Sequence, residues 1–221
     1  MAGTTSESLE RARASLIAEL AHDVADQRVL DAMSRVPREE FVDAEAAPLA
    51  YQNRPLPIGH GQTISQPLMV ALMTQALMLT GDEKVLEVGT GSGYQAALIS
   101  LLAAHVASVE RVPELATSAA ERLERLGYDN VEVHAVTDEL GWPKGAPYDA
   151  IIVTAASPDV PRPLLDQLAM NGRLVLPVGG RDLQELVRIT KTQEGARRHN
   201  LGACRFVPLL GRGAWPEARQ A

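Results

Sequence analysis

The sequence predicts an α/β protein built on a mostly parallel, doubly wound sheet, with an antiparallel edge and a helical addition at the N-terminus. Three observations predict it. From Lys84 onward, short apolar runs alternate with helical segments, the pattern of a parallel sheet covered on both faces. The stretch "LEVGTGSGYQ", Leu86 to Gln95, sets three glycines between an apolar run and a helix, the place where a doubly wound sheet binds its ligand. The last two apolar runs have no helix between them, so they are expected to pair antiparallel at one edge.

The elements follow in order. Leu9, Leu16, Ile17, Leu20 and Val24, then Val29, Leu30 and Met33, recur at helical spacing, and Asp26 can cap the second of two helices. "VPREEFV" ends the helical stretch, and Pro48, Pro55 and Pro57 keep the next segment irregular. Pro67 suits a first helical turn, where its missing N–H is harmless, so "PLMVALMTQALML" reads as a helix ending near Gly81. Beyond it, "KVLEV" is a buried strand, "YQAALISLLAA" a helix, "VASVE" a strand, and "PELATSAAERLERLG" a helix between Pro113 and Gly127. "VEVHAV" and "YDAIIVTAA" are strands, "RPLLDQLA" a helix and "GRLVLPVG" a strand, and "LQELVRITKT" and "ACRFVPLLG" are the closing strand pair. The expected division is residues 1–65 for the helices and the loop after them, 66–211 for the sheet core and 212–221 for a tail, in one structural domain.

Composition narrows the function. The 221 residues suffice for one large core, and 46% hydrophobic with 22% charged residues is ordinary for a globular protein. A formal charge of −7 argues against nucleic acid as the main partner, because phosphate binding requires a basic face. Cys204 is the single cysteine, so no intramolecular disulfide forms, which fits a reducing cytosol. No apolar run reaches membrane-spanning length, and the polar start "MAGTTSESLERARASL" lacks the apolar core of an export leader. His22, His60, His105, His134 and His199 fall in no metal-ligand spacing, so no metal is expected. A cytoplasmic monomer without membrane or nucleic-acid partners is the expectation.

The glycine cluster separates two cofactors. A dinucleotide fingerprint, G-x-G-x-x-G, would place its third glycine at position 94, which is Tyr94. The pattern present is E-x-G-x-G-x-G: Glu87, Gly89, Gly91 and Gly93, with Thr90 and Ser92 between the glycines. A carboxylate at the strand end can bind an ammonium group directly or through water. That suits S-adenosylmethionine, which carries an amino-acid tail and no pyrophosphate. Glu110 ends the next strand, where a carboxylate can accept the two ribose hydroxyls. The bland alternatives are a tight turn without ligand and a solvated strand-end charge. A second polar stretch, "GHGQTISQP" at Gly59 to Pro67, brings Thr63, Ser65 and Gln66, more hydroxyl and amide chemistry than a loop needs. Ser65 can cap the helix that begins near Pro67, face a ligand, or both; Thr63 can be a turn residue, and Gln66 can bind the cofactor or start the helix.

The stretches "VPREEFV", "LPIGHGQTISQP", "VLEVGTGSGYQAA", "VERVPELA", "LGYDNVEV", "GWPKGAPYDAIIVTAASPDVP", "GRLVLPVGG" and "RFVPLLG" resemble the protein-L-isoaspartate (D-aspartate) O-methyltransferase family over nearly the whole chain. The "GQTISQP" loop is the specific part; the glycine motif alone would indicate only a methyltransferase that uses S-adenosylmethionine. The resemblance implies a Rossmann-like sheet with an N-terminal helical addition and a cytosolic repair role. Damaged, isoaspartyl-containing proteins and peptides would be the substrates. Their free α-carboxylate would be methylated, and the ester would close to a succinimide that can reopen to aspartate. The family's catalytic serine matches Ser65, with Thr63 a second hydroxyl donor. The sequence departs from the family at "AVTDELGW", where the family has Gly-Asp-Gly and its Asp-Gly pair contacts the adenine: Thr137 stands at the Asp position and Asp138 at the Gly position. Two other functions suit the same residues: methylation of a different protein carboxylate, and a cofactor-binding module with little turnover.

Overall fold

The computed structural model describes residues 2–137, 139–211 and 214–216, and side chains from residue 7 onward. Helices α1 (Ala2–Leu20) and α2 (Gln27–Arg35) are followed by a short hairpin, β1 (Leu56–Pro57) and β2 (Thr63–Ile64), and by α3 (Pro67–Ala76). The alternating part runs β3 (Lys84–Val88), α4 (Tyr94–Ser100), β4 (His105–Glu110), α5 (Pro113–Arg125), β5 (Val131–Ala135), β6 (Tyr148–Val153), α6 (Arg162–Gln167) and β7 (Leu168–Gly179). Strands β8 (Gln184–Thr192) and β9 (Gly195–Cys204) close it.

The seven-stranded sheet has the order β5-β4-β3-β6-β7-β8-β9. β3 to β7 are parallel, and β8 and β9 are antiparallel, as the alternation of apolar runs predicts. The chain leaves β3 towards β4 on one side and returns to β6 on the other, so β3 and β6 flank a topological switch point. A crevice opens outside their C-terminal ends. Right-handed crossovers place successive helices on one face until that reversal and on the other face after it. Leu98 and Ile99 of α4 and Leu123 of α5 accordingly pack with Val85 and Ile152, whereas Leu164 of α6 packs with Leu86 and Ile151. Leu16, Leu30 and Met33 of the N-terminal helices join the first of these cores, so the helical addition is built into the sheet's own interior.

Local chemistry sets the helix ends. Asp26 is extended and accepts from the Arg28 N–H at 3.0 Å, capping α2. Pro67 stands in the first turn of α3 behind Gln66, whose side chain makes no capping bond. Ser65 lies one residue further out, so the capping alternative for Ser65 does not hold. α3 stops at Ala76 rather than near Gly81: Met78 turns to a left-handed φ of 53°, and the Arg173 guanidinium takes the carbonyls of Leu77 (2.7 Å) and Met78 (3.0 Å). Those acceptors would have fed another helical turn.

The last strand departs from expectation. β9 is "GARRHNLGAC", paired from Thr192↔Gly195 to Gln184↔Cys204. It is almost wholly exposed, so it carries no apolar signature: an edge strand with water on both sides needs none. The apolar stretch "RFVPLLG" is no strand. It crosses the end of β6, where Ala156 donates to the Val207 carbonyl and accepts from Leu209 N–H, each at 2.7 Å. Its apolar residues bury Leu209 beneath that crossing.

Glu83 ties α3 to the sheet. It accepts from the N–H groups of Thr80 and Gly81 and from the Thr80 hydroxyl, and it pairs with Arg173 at 3.1 Å. Burial pushes its pKa up, but the Thr80 and Gly81 N–H groups and Arg173 outweigh that and leave it below the ordinary 4.5. A depressed carboxyl contributes stability above its unfolded pKa and loses it as pH falls through the folded one. Glu83→Gln is therefore expected to cost about 1.5–3 kcal/mol at pH 7. The gap to the wild type should close below the ordinary value of 4.5, as read by denaturant unfolding at both pH values. A gap independent of pH would show that the carboxylate charge is immaterial.

Candidate active site

The crevice at the switch point is a cavity of about 340 Å³. One wall is the turn after β3. Gly89, Gly91 and Gly93 all have positive φ, at 100°, 54° and 90°. At Gly89 a Cβ would collide with Thr154 Oγ1, which donates to the Gly89 carbonyl at 2.8 Å. The turn is thus pressed against the end of β6 and turns its backbone to the cavity. Gly93 serves the packing behind it. It precedes α4 in the left-handed conformation, and a Cβ there would press on Leu123 of α5 at 3.2 Å. Gly89, Thr90, Gly91 and Ser92 line the cavity, and Gly93 does not.

The carboxylates at the two strand ends behave differently. Glu110 lines the cavity. Its Oε2 accepts from Gly91 N–H at 2.9 Å, and its Oε1 from Arg111 (2.9 Å) and Val112 (3.0 Å) N–H. Three backbone donors hold the carboxylate and bind the glycine turn to β4, while Oε2 keeps a further lone pair. Glu87 does not line the cavity. It faces the α4 side of the sheet, directly opposite Ser108, and is 0% exposed. The Ser108 hydroxyl donates to its Oε2 and shares a 2.5 Å hydrogen bond with Thr90 Oγ1. Oε1 has no partner among the described residues. Burial, reinforced by the charge of Glu110 and opposed by the Ser108 bond, pushes Glu87 up to about 8.

Another part of the wall is the hairpin, whose Ile58 would meet a Cβ at Gly91 at 3.3 Å. "GHG" makes its turn: Gly59, His60 and Gly61 have φ of 84°, 51° and 70°, and Gln62 N–H closes on the Gly59 carbonyl at 2.8 Å. The glycines of that stretch therefore shape a loop. Thr63 and Ser65 stand on its returning arm and both line the cavity with the glycine turn. Among the described residues the Ser65 hydroxyl has no hydrogen-bond partner; only its carbonyl is held, by Arg38 at 2.7 Å. The Gln66 side chain points away and donates to the Asn53 carbonyl at 3.1 Å. Thr137 is in the wall beyond β5; Asp138 lies outside the described residues.

Two contributors escaped the reading of the sequence. Thr154 could have been found from the switch-point rule, since it follows the second strand flanking the crevice. Val207 to Leu210 line the cavity as well, and nothing in "RFVPLLG" distinguishes a wall segment from a strand.

This sheet order, with its glycine turn and acid-ended second strand at the switch point, defines a Rossmann-like methyltransferase. The family model described as "Protein-L-isoaspartate(D-aspartate) O-methyltransferase (PCMT)" matches residues 11–214. Protein-L-isoaspartate O-methyltransferase 1 of Syntrophobacter fumaroxidans is 54% identical over 196 residues, covering 89% of this chain and 92% of the relative. A solved protein-L-isoaspartate O-methyltransferase superimposes with a TM-score of 0.83 at 28% identity, over 91% of this chain and 67% of the other. A Plasmodium falciparum protein of the same family name, solved in complex with S-adenosyl-L-homocysteine, gives 0.75 at 28% identity, over 88% and 96%. The chain belongs to the protein-L-isoaspartate (D-aspartate) O-methyltransferase family.

Glu87 makes stability depend on pH. Between its ordinary value of 4.5 and about 8, the native protein holds a proton that the unfolded chain has released. Stability therefore falls as pH rises through that window. Glu87→Gln keeps an acceptor for Ser108 and cannot ionise. Melting temperatures from pH 5 to pH 9 are expected to decline more steeply in the wild type than in the variant; parallel curves would place the buried proton elsewhere.

Proposed function

We propose that the chain transfers the methyl group of S-adenosylmethionine to the free α-carboxylate of L-isoaspartyl and D-aspartyl residues in damaged proteins and peptides. The observation that carries this reading is that Thr63 and Ser65 line the same cavity as the glycine turn, with the Ser65 hydroxyl uncommitted among the described residues.

The residues fit the cofactor. The turn at Gly89 has no room for a side chain, so its backbone is what a ligand meets. Glu110 Oε2 has a lone pair left for a ribose hydroxyl, and Val109, Val112 and Leu140 give the cavity apolar surface beside it. Gly89, Thr90, Gly91, Ser92, Glu110 and Thr137 are the proposed cofactor contacts, and Asp138, next to Thr137 in the sequence, is proposed with them. Glu87 and Gly93 act from behind, the one by holding Ser108 and Thr90, the other by seating α4. Bound there, S-adenosylmethionine supplies an electrophilic methyl on a sulfonium.

Ser65 and Thr63 donate hydrogen bonds to the substrate carboxylate and orient one oxygen. The carboxylate is ionised at pH 7, its pKa being about 4, so no general base is required. Positioning alone can account for up to roughly 7–11 kcal/mol of barrier in ideal systems. Neutral donors hold the nucleophile without the ground-state stabilisation that full positive charges would impose. With this activity we propose a cytosolic monomer that takes damaged polypeptides as partners and no nucleic acid, supported by the charge of −7 and the single cysteine. Among the described residues no helix is long and apolar enough to cross a membrane. The division at residues 65/66 and 211/212 separates the substrate-facing part from the cofactor core in the same proposal. An isoaspartyl peptide and its aspartyl twin, assayed side by side with labelled S-adenosylmethionine, test the activity. Equal labelling of both, or labelling of neither, would refute it.

Ser65→Ala is expected to lower isoaspartyl methylation roughly 10- to 1000-fold, about 1.4–4 kcal/mol in the transition state. Cofactor affinity should stay within a few-fold, and an equal loss in both would move Ser65 into the cofactor site. The wall position of Thr137 supports it as the adenine contact. Thr137→Asp with Asp138→Gly should then tighten cofactor binding about tenfold in calorimetric titration, because an ionised acceptor makes the stronger bond to the adenine amino group. Thr137→Ala should loosen it. Unchanged affinity in both variants would put the adenine elsewhere.

A further inference from the structure

Outside the cavity wall, one buried cation touches both halves of the site. Arg38, in the short turn Arg38–Phe41, is 0% exposed. Its Nε donates to the Ala50 carbonyl at 2.8 Å, and its Nη2 to the Ser65 carbonyl at 2.7 Å. Its guanidinium lies 4.8 Å from the centroid of the Tyr94 ring. Tyr94 opens α4 immediately after the glycine turn and itself lines the cavity. Phe41 of the same short turn meets that ring edge-on, at 5.5 Å and 70°. Arg38 Nη1 has no partner among the described residues.

We propose that Arg38 is a positioning residue for the methyl transfer: it fixes the carbonyl of Ser65 against the ring that begins α4, and so sets the distance from the Ser65 hydroxyl to the glycine turn. This rests on the proposed activity of the cavity. A planar fork suits that role, because it reaches two carbonyls and stacks on a ring at once, which an ammonium cannot do. Arg38 touches neither the substrate nor the cofactor, so its effect runs through Ser65.

The experiment is a double-mutant cycle of Arg38→Met and Ser65→Ala, read as kcat and KM for an isoaspartyl peptide and as affinity for S-adenosylhomocysteine. Arg38→Met alone is expected to lower kcat about 10- to 100-fold with S-adenosylhomocysteine affinity within threefold. On the Ser65→Ala background it should lower kcat less than threefold further, because the hydroxyl it positions is gone. Losses that multiply in full would overturn the proposal, as would a loss confined to S-adenosylhomocysteine affinity. If Arg38→Met does not fold, Arg38→Lys takes its place in the same cycle. It keeps the charge and loses the fork, and the same outcomes apply. If neither variant folds, Arg38 is a structural residue and the proposal fails. A wild-type protein that methylates no isoaspartyl peptide overturns the functional reading and this proposal with it. A wild type that turns over, with variants that multiply, overturns this proposal alone.

Discussion

Arg38 is one side chain that meets the Ala50 segment, the hairpin loop at Ser65 and the Tyr94 ring after the glycine turn. Burying a guanidinium without a carboxylate partner carries a desolvation penalty of several kcal/mol, and burial pushes its pKa down while Tyr94 opposes that. Two charge-assisted bonds to the carbonyls of Ala50 and Ser65, each about 1.5–3 kcal/mol, and the face of the Tyr94 ring, about 2 kcal/mol when desolvated, offset it. None of these partners is a neighbour of Arg38 in sequence. The offset exists only when all three segments have arrived, so the arginine favours a single arrangement of them. A hydrophobic residue of similar size would fill the space but accept any sliding of the loop over α4.

The sheet supplies the second constraint. The C-terminal end of β3 is tied by backbone to both neighbours: Gly89 N–H to the Val109 carbonyl of β4 at 2.9 Å, and Thr154 N–H, just after β6, to the Val88 carbonyl at 3.0 Å. Glu110 then binds the turn from the far side. The glycine turn is therefore fixed from β4 and from β6 before any ligand enters, and preorganised backbone of this kind loses little on binding.

Much of this was legible in the sequence, and the reasons for the rest are physical. Buried strands announce themselves because a parallel sheet is apolar on both faces; β3, β4 and β6 read plainly for that reason. β9 does not, since an edge strand solvated on both faces has polar residues at most positions, and "GARRHNLGA" looks like a loop. "RFVPLLG" fails in the opposite direction: it is apolar because it covers the end of the sheet, and periodicity cannot tell a covering segment from a strand. The site divides likewise. Glycines, Ser65 and Glu110 follow from motif and position, but the side of the sheet on which Glu87 falls follows from strand register. Its partner Ser108 is 21 residues away. The role of Arg38 depends on contacts with positions 50, 65 and 94, which no local pattern connects.

Acid placement also explains how one cavity can serve an anionic substrate beside a cationic cofactor. Arg111 and Glu139 also line the cavity; the acids at the glycine turn itself are Glu87 and Glu110, and two free negative charges there would repel the isoaspartyl carboxylate. Neither is free. Glu87, with its pKa pushed up to about 8, is protonated in most molecules at pH 7. Glu110 spreads its charge over three backbone N–H groups while keeping acceptor capacity on the cavity side. The neutral hydroxyls of Thr63 and Ser65 are the proposed donors to the incoming carboxylate, in a wall that also holds Arg111. Arg38 reaches the site through the Ser65 carbonyl and not by contact. Under the proposed function this arrangement leaves the nucleophile charged and oriented. The donors are strong enough to place it and too weak to quench it.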